Sequence, residues 1–514
     1  MTRIIALILA VFAASPSHAQ TTVKGADIVR ASAAALVAGD AVRAAQLAEV
    51  ILAVKPNDLE ALILRARAAL ALEDFETAKA LSKRAYRATD NGAVKFSTAR
   101  VAAVAHANAG EDTRAQLWLR RARQFAPDEE RSNQVAQEFQ VLARRNPWTT
   151  NLQFGITPSS NVNGGSTEDT LFSPLVALFN GTGISNISVD GRDLPGLEIT
   201  GGLQSSYRLN ASENSATFLS FGANVRRVVL QQSAIDEENA KERARVEQEA
   251  AEATVELARL EAEIAALPEG EPIPDDLRNA RALASSASRR VYTDQDVSGR
   301  EFSSAAISAG ILHRRILQDG WDPTTFRLDL NRTWYAGDPL SWRYTASVGQ
   351  TVPISDQLRL NFRVAASGRE VFARNDSARY SVDSNDARVG LTYRLANRDQ
   401  ISVSFDVKDS RSSNANNDYD QRGLYADYAF GRSFAGVQLG IGVGISERDY
   451  GFDGIVGLDR TDDIYTLNAR ARLTEIEYYG FQPEISLNAS RTNSVNPRFD
   501  TDTLRIGFDL RSSF

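Results

Sequence analysis

The chain has 514 residues, 24% charged and 43% apolar, with a formal net charge of −7. Its length asks for two or three domains, and its acidic balance argues against a general nucleic-acid partner. Cysteine is absent, which excludes disulfides and thiolate metal sites, and three histidines (His18, His106, His313) are too few for a histidine-built metal centre.

The amino terminus reads as an address. Met1-Thr2-Arg3 carries one positive charge, and 4–14 is an unbroken apolar run of 11 residues. Ser17-His18-Ala19 follows as a small-x-small site. This predicts a secretory signal peptide, residues 1–19, cut after Ala19. Its apolar run is too short to span a bilayer. No cysteine follows the site, so the mature chain is not expected to be a lipoprotein itself. No later run approaches the roughly 18 apolar residues of a membrane helix. A periplasmic protein and a β-barrel remain.

Residues 26–146 are rich in Ala, Leu, Glu and Arg. Short turns recur at Gly39-Asp40, Glu73-Asp74 and Gly110-Glu111-Asp112, with 34 residues from Asp40 to Asp74 and 38 from Asp74 to Asp112. Pro56-Asn57, Asp90-Asn91-Gly92 and Pro127-Asp128 occupy the complementary position. A period near 34 with small residues between helices (Ala44, Ala45, Ala78, Ala115) resembles tetratricopeptide repeats. Stacked helix pairs leave a concave face suited to capturing a peptide or partner protein. A spacer or a plug for a barrel mouth is the competing reading. Arg65, Arg67, Arg100 and Arg114 are candidates for that face, and 129–145 is a final capping helix.

Asn146-Pro147-Trp148 ends the helices. From 150 onward the chain becomes short runs that alternate apolar and polar residues, the period of a strand with one greasy and one wet face. Fourteen such runs can be counted, from 150–157 to 503–514, with intermediate ones at 298–312, 386–395 and 434–446. An even count suits a bacterial barrel. Ile401, Val403, Phe405 and Val407, for example, alternate with Ser402, Ser404, Asp406 and Lys408. Alternate connections are short, whereas those at 158–193, 231–297, 372–385, 410–422, 447–462 and 491–502 are long. Short periplasmic turns and long external loops are the barrel signature, and they put the helical segment in the periplasm. The wet face carries Arg208, Arg327, Asp329, Arg343, Arg359, Arg363, Arg388, Arg394, Arg470 and Arg472, too many charges for a dry interior. These are candidate lumen-facing residues. The loop from Pro158 to Asp193 reads as irregular.

Between the third and fourth runs lies an insertion, 232–296. Val246, Ala250, Ala253, Leu257, Leu260, Ile264 and Leu267 follow the seam spacing of a coiled coil. After the break at 268–274, Leu277, Ala280, Ala284, Ala287 and Val291 can form a returning helix. Strand parity places this hairpin outside the cell, as a contact surface or a stalk. The last run alternates Leu504, Ile506, Phe508 and Leu510 with Arg505, Gly507 and Asp509 and finishes on Phe514, a candidate barrel-insertion signal.

Pro147-Trp148, a short strand, Ser160-Asn161-Val162-Asn163, and the closing hairpin from Arg491-Thr492-Asn493-Ser494 to Phe514 together resemble the surface lipoprotein assembly modifiers (Slam proteins), the outer-membrane component of type XI secretion. The family-motif residues here are Pro147, Trp148, Asn161 and Asn163. The resemblance implies a signal peptide, a tetratricopeptide domain (26–146) and a 14-stranded transmembrane β-barrel (147–514), and does not cover the insertion. It implies a translocator that recruits an exported client, a surface lipoprotein or related secreted protein, and delivers it to the cell surface. Other expected partners are the barrel-assembly machinery and outer-membrane lipid; the chain is expected to be monomeric, without cofactor or nucleic acid. The competing reading is a channel for small solutes with a periplasmic protein-binding scaffold. A hydrolase needs a rim constellation containing histidine, and His313, the one histidine in the expected barrel, falls near a periplasmic turn, so no catalytic residue is assigned.

Overall fold

The computed structural model describes residues 24–172, 184–268, 271–372, 379–414, 417–453 and 458–512. The expected signal peptide and Phe514 lie outside the described residues. The chain divides into two units at Arg145/Asn146.

The first unit is helical: α1 Gly25–Val37, α2 Ala41–Val54, α3 Leu59–Ala71, α4 Phe75–Arg87, α5 Gly92–Asn108, α6 Asp112–Gln124 and α7 Glu129–Arg145. Each helix packs on the next through residues small enough to bring backbones close, among them the fully buried Ala44, Ala48, Ala61, Ala68, Ala78, Ala102, Ala105 and Ala122. The turns that mark the repeat are left-handed residues: Gly39 (φ 81°), Glu73 (φ 59°) and Gly110 (φ 76°). Asp40, Asp58, Asp74 and Asn91 then cap α2, α3, α4 and α5 by accepting from the third amide onward. The four arginines expected on one face separate: Arg67 is exposed while Arg65, two residues back, is half-buried beside Glu49, since two residues turn a helix by about 200°.

The second unit is a closed antiparallel barrel of fourteen strands. In chain order they are β1 Trp148–Ser159, β4 Gly196–Ala211, β5 Ser215–Leu230, β6 Ser304–Arg315, β7 Thr324–Tyr335, β8 Asp338–Pro353, β9 Leu358–Val371, β10 Tyr380–Arg394, β11 Gln400–Ser412, β12 Tyr419–Ala429, β13 Val437–Asp453, β14 Leu458–Leu473, β15 Phe481–Ser494 and β16 Thr501–Ser512. β1 closes the ring against β16. Several strands run past the expected ends at the long-loop side: β10 begins at Tyr380 rather than 386, and β13 continues to Asp453 rather than 446. Above an apolar surround both faces are wet, so the alternation fades while the hydrogen-bonded ladder continues. β6 instead starts late, because 299–302 forms a 3₁₀ turn.

Large apolar side chains cover the outer face. Phe154 and Ile156, Phe221 and Val225, Leu328 and Leu330, Val389 and Leu391, Phe405 and Val407, Ile441 and Val443, and Phe508 and Leu510 are all exposed, each pair an even number of residues apart along a strand. A belt of this kind is stable against hydrocarbon, not water. No described helix is long and apolar enough to cross a membrane.

The loop after β1 is not irregular throughout. It holds a two-stranded sheet, β2 Thr170–Phe172 and β3 Ile184–Asn186, and a 3₁₀ turn at Val189–Gly191. The insertion consists of α8 Gln232–Ala265 and α9 Asp275–Ala287. Leu260 and Ala284 are buried between them, and the other expected seam positions of α8 are half-buried. Val291 lies beyond α9 and is exposed.

Candidate functional site

The wet face of every strand turns inward, and it is charged. All ten candidate residues, Arg208, Arg327, Asp329, Arg343, Arg359, Arg363, Arg388, Arg394, Arg470 and Arg472, fall opposite the apolar belt in strand alternation. Most of the charge is paired. Arg327 meets Asp329 at 2.5 Å, Arg359 meets Asp322 at 3.2 Å, Arg363 meets Asp386 at 3.2 Å, and Arg388 meets Asp406 at 3.1 Å. Glu484, almost fully buried, holds Arg472 and Arg511, each at 3.1 Å. Arg343 faces Arg369 directly across β8 and β9. Arg470 spreads over Gly440, where a Cβ would come within 2.8 Å of its Nε. Arg208 donates to the Asn146 carbonyl, and Arg394 lies at the short-turn end of β10. Cations and anions on a wall of this size stay hydrated, and a barrel of fourteen strands is too wide for side chains to fill.

A second set closes the rim. Glu198 on β4 binds Arg226 on β5 at 2.7 Å and Arg505 on β16 at 3.2 Å. Arg226 also donates to the carbonyls of Phe302 and Val162. The signal was present in the alternation: Glu198 is a wet-face position of β4, the barrel strand after β1, and Arg505 one of β16, which meets β1 only when the sheet closes.

The motif asparagines build the loop above this cluster. Asn161 is fully buried; its side chain accepts from the Gly165 amide at 2.9 Å and donates to the Gly165 carbonyl at 2.9 Å and the Asp502 carbonyl at 3.5 Å. Asn163 donates to the carbonyls of Asp190 (3.0 Å) and Arg192 (2.5 Å) and accepts from the Leu194 amide (2.9 Å). Each therefore replaces a ladder that an irregular segment lacks. At the opposite end of β1, the Pro147 carbonyl accepts from the Arg208 amide at 2.8 Å, and the Trp148 ring lies 4.8 Å from that of Tyr207.

This loop is joined to the base of the helical hairpin. Val189, Leu194, Ile235 and Val297 form one buried apolar cluster. Arg192, 3% exposed, pairs with Glu238 at 2.8 Å and Glu242 at 2.6 Å on α8. The hairpin seam is thus not self-contained: its base shares a core with the first loop.

In the helical unit, Glu111 accepts from Lys79 at 3.1 Å and lies 2.5 Å from His106 Nδ1. The His106 contact, then Lys79, hold the Glu111 carboxyl well below its usual range, at about 2. Burial keeps the His106 ring neutral, lowering its pKa against the pull of Glu111. The flat face of His106 stacks on Trp118, whose edge meets Tyr86. Arg100 pairs with Glu138 and lies over Phe96; Arg114 is mostly exposed and pairs with Glu111.

Among solved structures, the fold is similar to OccAB3 of Acinetobacter baumannii, at 9% identity, covering 70% of this chain and 98% of that one with a TM-score of 0.31. It is also similar to an outer membrane channel of Pseudomonas putida F1, at 10% identity, covering 71% and 96% with a TM-score of 0.30. No curated protein sequence matches the chain significantly. The family model described as surface lipoprotein assembly modifier matches residues 285–514. The second unit is thus a barrel of the outer-membrane kind, and over its larger part, residues 285–514, it matches the model of the surface lipoprotein assembly modifiers.

Proposed function

We propose that the protein is an outer-membrane translocator. The helical repeats, on the periplasmic side, recruit an exported client, and the barrel delivers it, a surface lipoprotein or a related secreted protein, to the cell surface. The family match over residues 285–514 carries this reading. Two structural features support it. Ion pairs line the inner wall, a hydrated surface that suits the passage of a polar chain. The chain enters β1 from the short-turn end of the barrel, which in bacterial barrels faces the periplasm. The barrel-assembly machinery is the expected partner in biogenesis, and one chain per barrel is expected. No step here calls for a catalytic residue or a cofactor.

The test is surface labelling of a candidate client in cells with and without the chain, alongside uptake of small solutes into vesicles that contain the purified protein. Client labelling that depends on the chain supports a translocator. Solute uptake with no change in labelling of any candidate supports a small-solute channel instead.

A further inference from the structure

Arg332 is on the wrong face of its strand. Along β7 the outward positions are Phe326, Leu328, Leu330, Arg332 and Trp334, and the register partners of Arg332 are Ile307 on β6 and Trp342 on β8. An arginine on the lipid face of a barrel is costly near the middle of the membrane and tolerated toward the interface. Arg332 lies three residues from the end of β7 on the long-loop side, beside Trp334 and Trp342, rings of the kind that girdle a barrel at the membrane interface. Three rings hold its guanidinium, with centroids at 4.7 Å (Phe372), 5.0 Å (Trp342) and 5.6 Å (Trp334). Among the described residues no carboxylate pairs with it, and its buried Nη1 has no hydrogen-bond partner. Cation–π contacts orient the group but satisfy none of its N–H donors.

Toward the middle of the barrel, on the same outer face, the side chains become small by β9. Leu328 is followed by Ala346 and Ala366, and Tyr344, the partner of Leu330, is followed by Gly368. The result is an open, mostly apolar groove of about 680 Å³ bounded by Ile311, Leu328 and Leu330 on one side and by Ala346, Ala366 and Gly368 on the other, with Asp383 and Asn385 at its far edge. Gly368 is required there, because a Cβ would come within 2.2 Å of the Tyr344 ring.

We propose that Arg332 and this groove form a binding site for one phosphorylated membrane lipid of the outer leaflet. The phosphate accepts from the guanidinium N–H groups on the accessible edge, opposite the buried Nη1, a planar fork that matches its oxygens. One acyl chain lies along the groove. The charge of the head, its height in the membrane and the apolar slot beneath it agree on one amphiphile. This site is independent of the translocator reading, since it needs only the barrel in a membrane.

The test is native mass spectrometry of the delipidated full chain in detergent, titrated with bisphosphorylated lipid A and with its dephosphorylated counterpart. Heat-modifiable gel mobility shows that each variant is folded. Wild type is expected to retain one copy of the phosphorylated lipid. Arg332→Gln is expected to bind it about tenfold more weakly, the loss of one or two charge-assisted hydrogen bonds, with dephosphorylated lipid unaffected. Ala366→Trp, which fills the groove, is expected to weaken both lipids. Inorganic phosphate is expected not to compete. Equal retention by wild type and Arg332→Gln, or equal loss of both lipids in that variant, would overturn the proposal and leave Arg332 as an interfacial anchor. Full competition by inorganic phosphate would reduce the site to one for a free anion and overturn it as well.

Discussion

Arg505 on β16 and Glu198 on β4 are joined by an ion pair of 3.2 Å that steps over β1, the strand between them. It reinforces a thin part of the wall. β1 pairs with β4 at every position from Trp148 to Ser159, but the described ladder with β16 holds only Gln153, Phe154, Gly155, Ile156 and Ser159. Pro158, which has no N–H to give, falls in the gap. Glu198→Gln leaves Arg226 and Arg505 without their shared carboxylate. We expect a loss of about 2 kcal/mol, less than for a fully buried pair because both arginines reach water. A lower temperature for the heat-induced gel shift measures it; an unchanged transition contradicts the closing role.

Glu73 occupies a left-handed position (φ 59°) where the equivalent turns use Gly39 and Gly110. Glycine adopts this conformation without steric cost. Glu73→Gly is expected to stabilise the helical unit by about 1 kcal/mol, read as a higher midpoint in the helical circular-dichroism melt. A lower midpoint would mean that the Glu73 side chain contributes more than its backbone strain costs.

The repeats are expected to lose stability in acid, in two steps of the same sign. Burial lowers the His106 pKa from 6.5, so its contribution is full above that value and is lost as pH falls through the lower folded one. Glu111 is held at about 2 against an ordinary 4.5, so its contribution is full above 4.5 and fades between 4.5 and 2. Helical melting midpoints taken from neutral pH down to about pH 4 should fall. Glu111→Gln should flatten the part below 4.5. A midpoint that rises on acidification contradicts both assignments.

Arg192 ties the first loop to the hairpin. With Arg192 3% exposed and two glutamates against it, Arg192→Ala removes their shared partner while Lys241 and Arg245 still pair with them, a local cost of about 2 kcal/mol. The barrel is expected to remain folded, while backbone amides at 184–194 and 235–242 exchange faster with deuterium. Unaltered exchange there would show that the apolar cluster of Val189, Leu194, Ile235 and Val297 holds the joint without the ion pairs.

The strand count and the sorting of faces were legible because the barrel is locally written: Ile401, Val403, Phe405 and Val407 announce their shared face without help from any other strand. What could not be read has non-local causes. Glu198, Arg226 and Arg505 become one cluster only through ring closure across 307 positions of sequence. The Asn161–Asp502 contact likewise depends on the last hairpin returning to the first loop. Arg332 was invisible as an exception, because one charge in an apolar stripe looks like a strand end until its neighbours Trp334, Trp342 and Phe372 are placed around it. The order of the first loop leaves no trace in the periodicity, because side-chain amides organise it.

The central claim, that the repeats recruit and the barrel delivers, is tested most directly by removing residues 25–145 and keeping 146–514. Surface labelling of a candidate client is compared in cells with the full chain, the barrel unit alone and neither. The account predicts normal insertion of the truncated barrel, judged by heat-modifiable mobility, together with client labelling that falls to the level of cells with neither. Equal labelling by the full chain and the truncated barrel would contradict the recruitment role of the repeats, and equal labelling in all three would contradict translocation of that client.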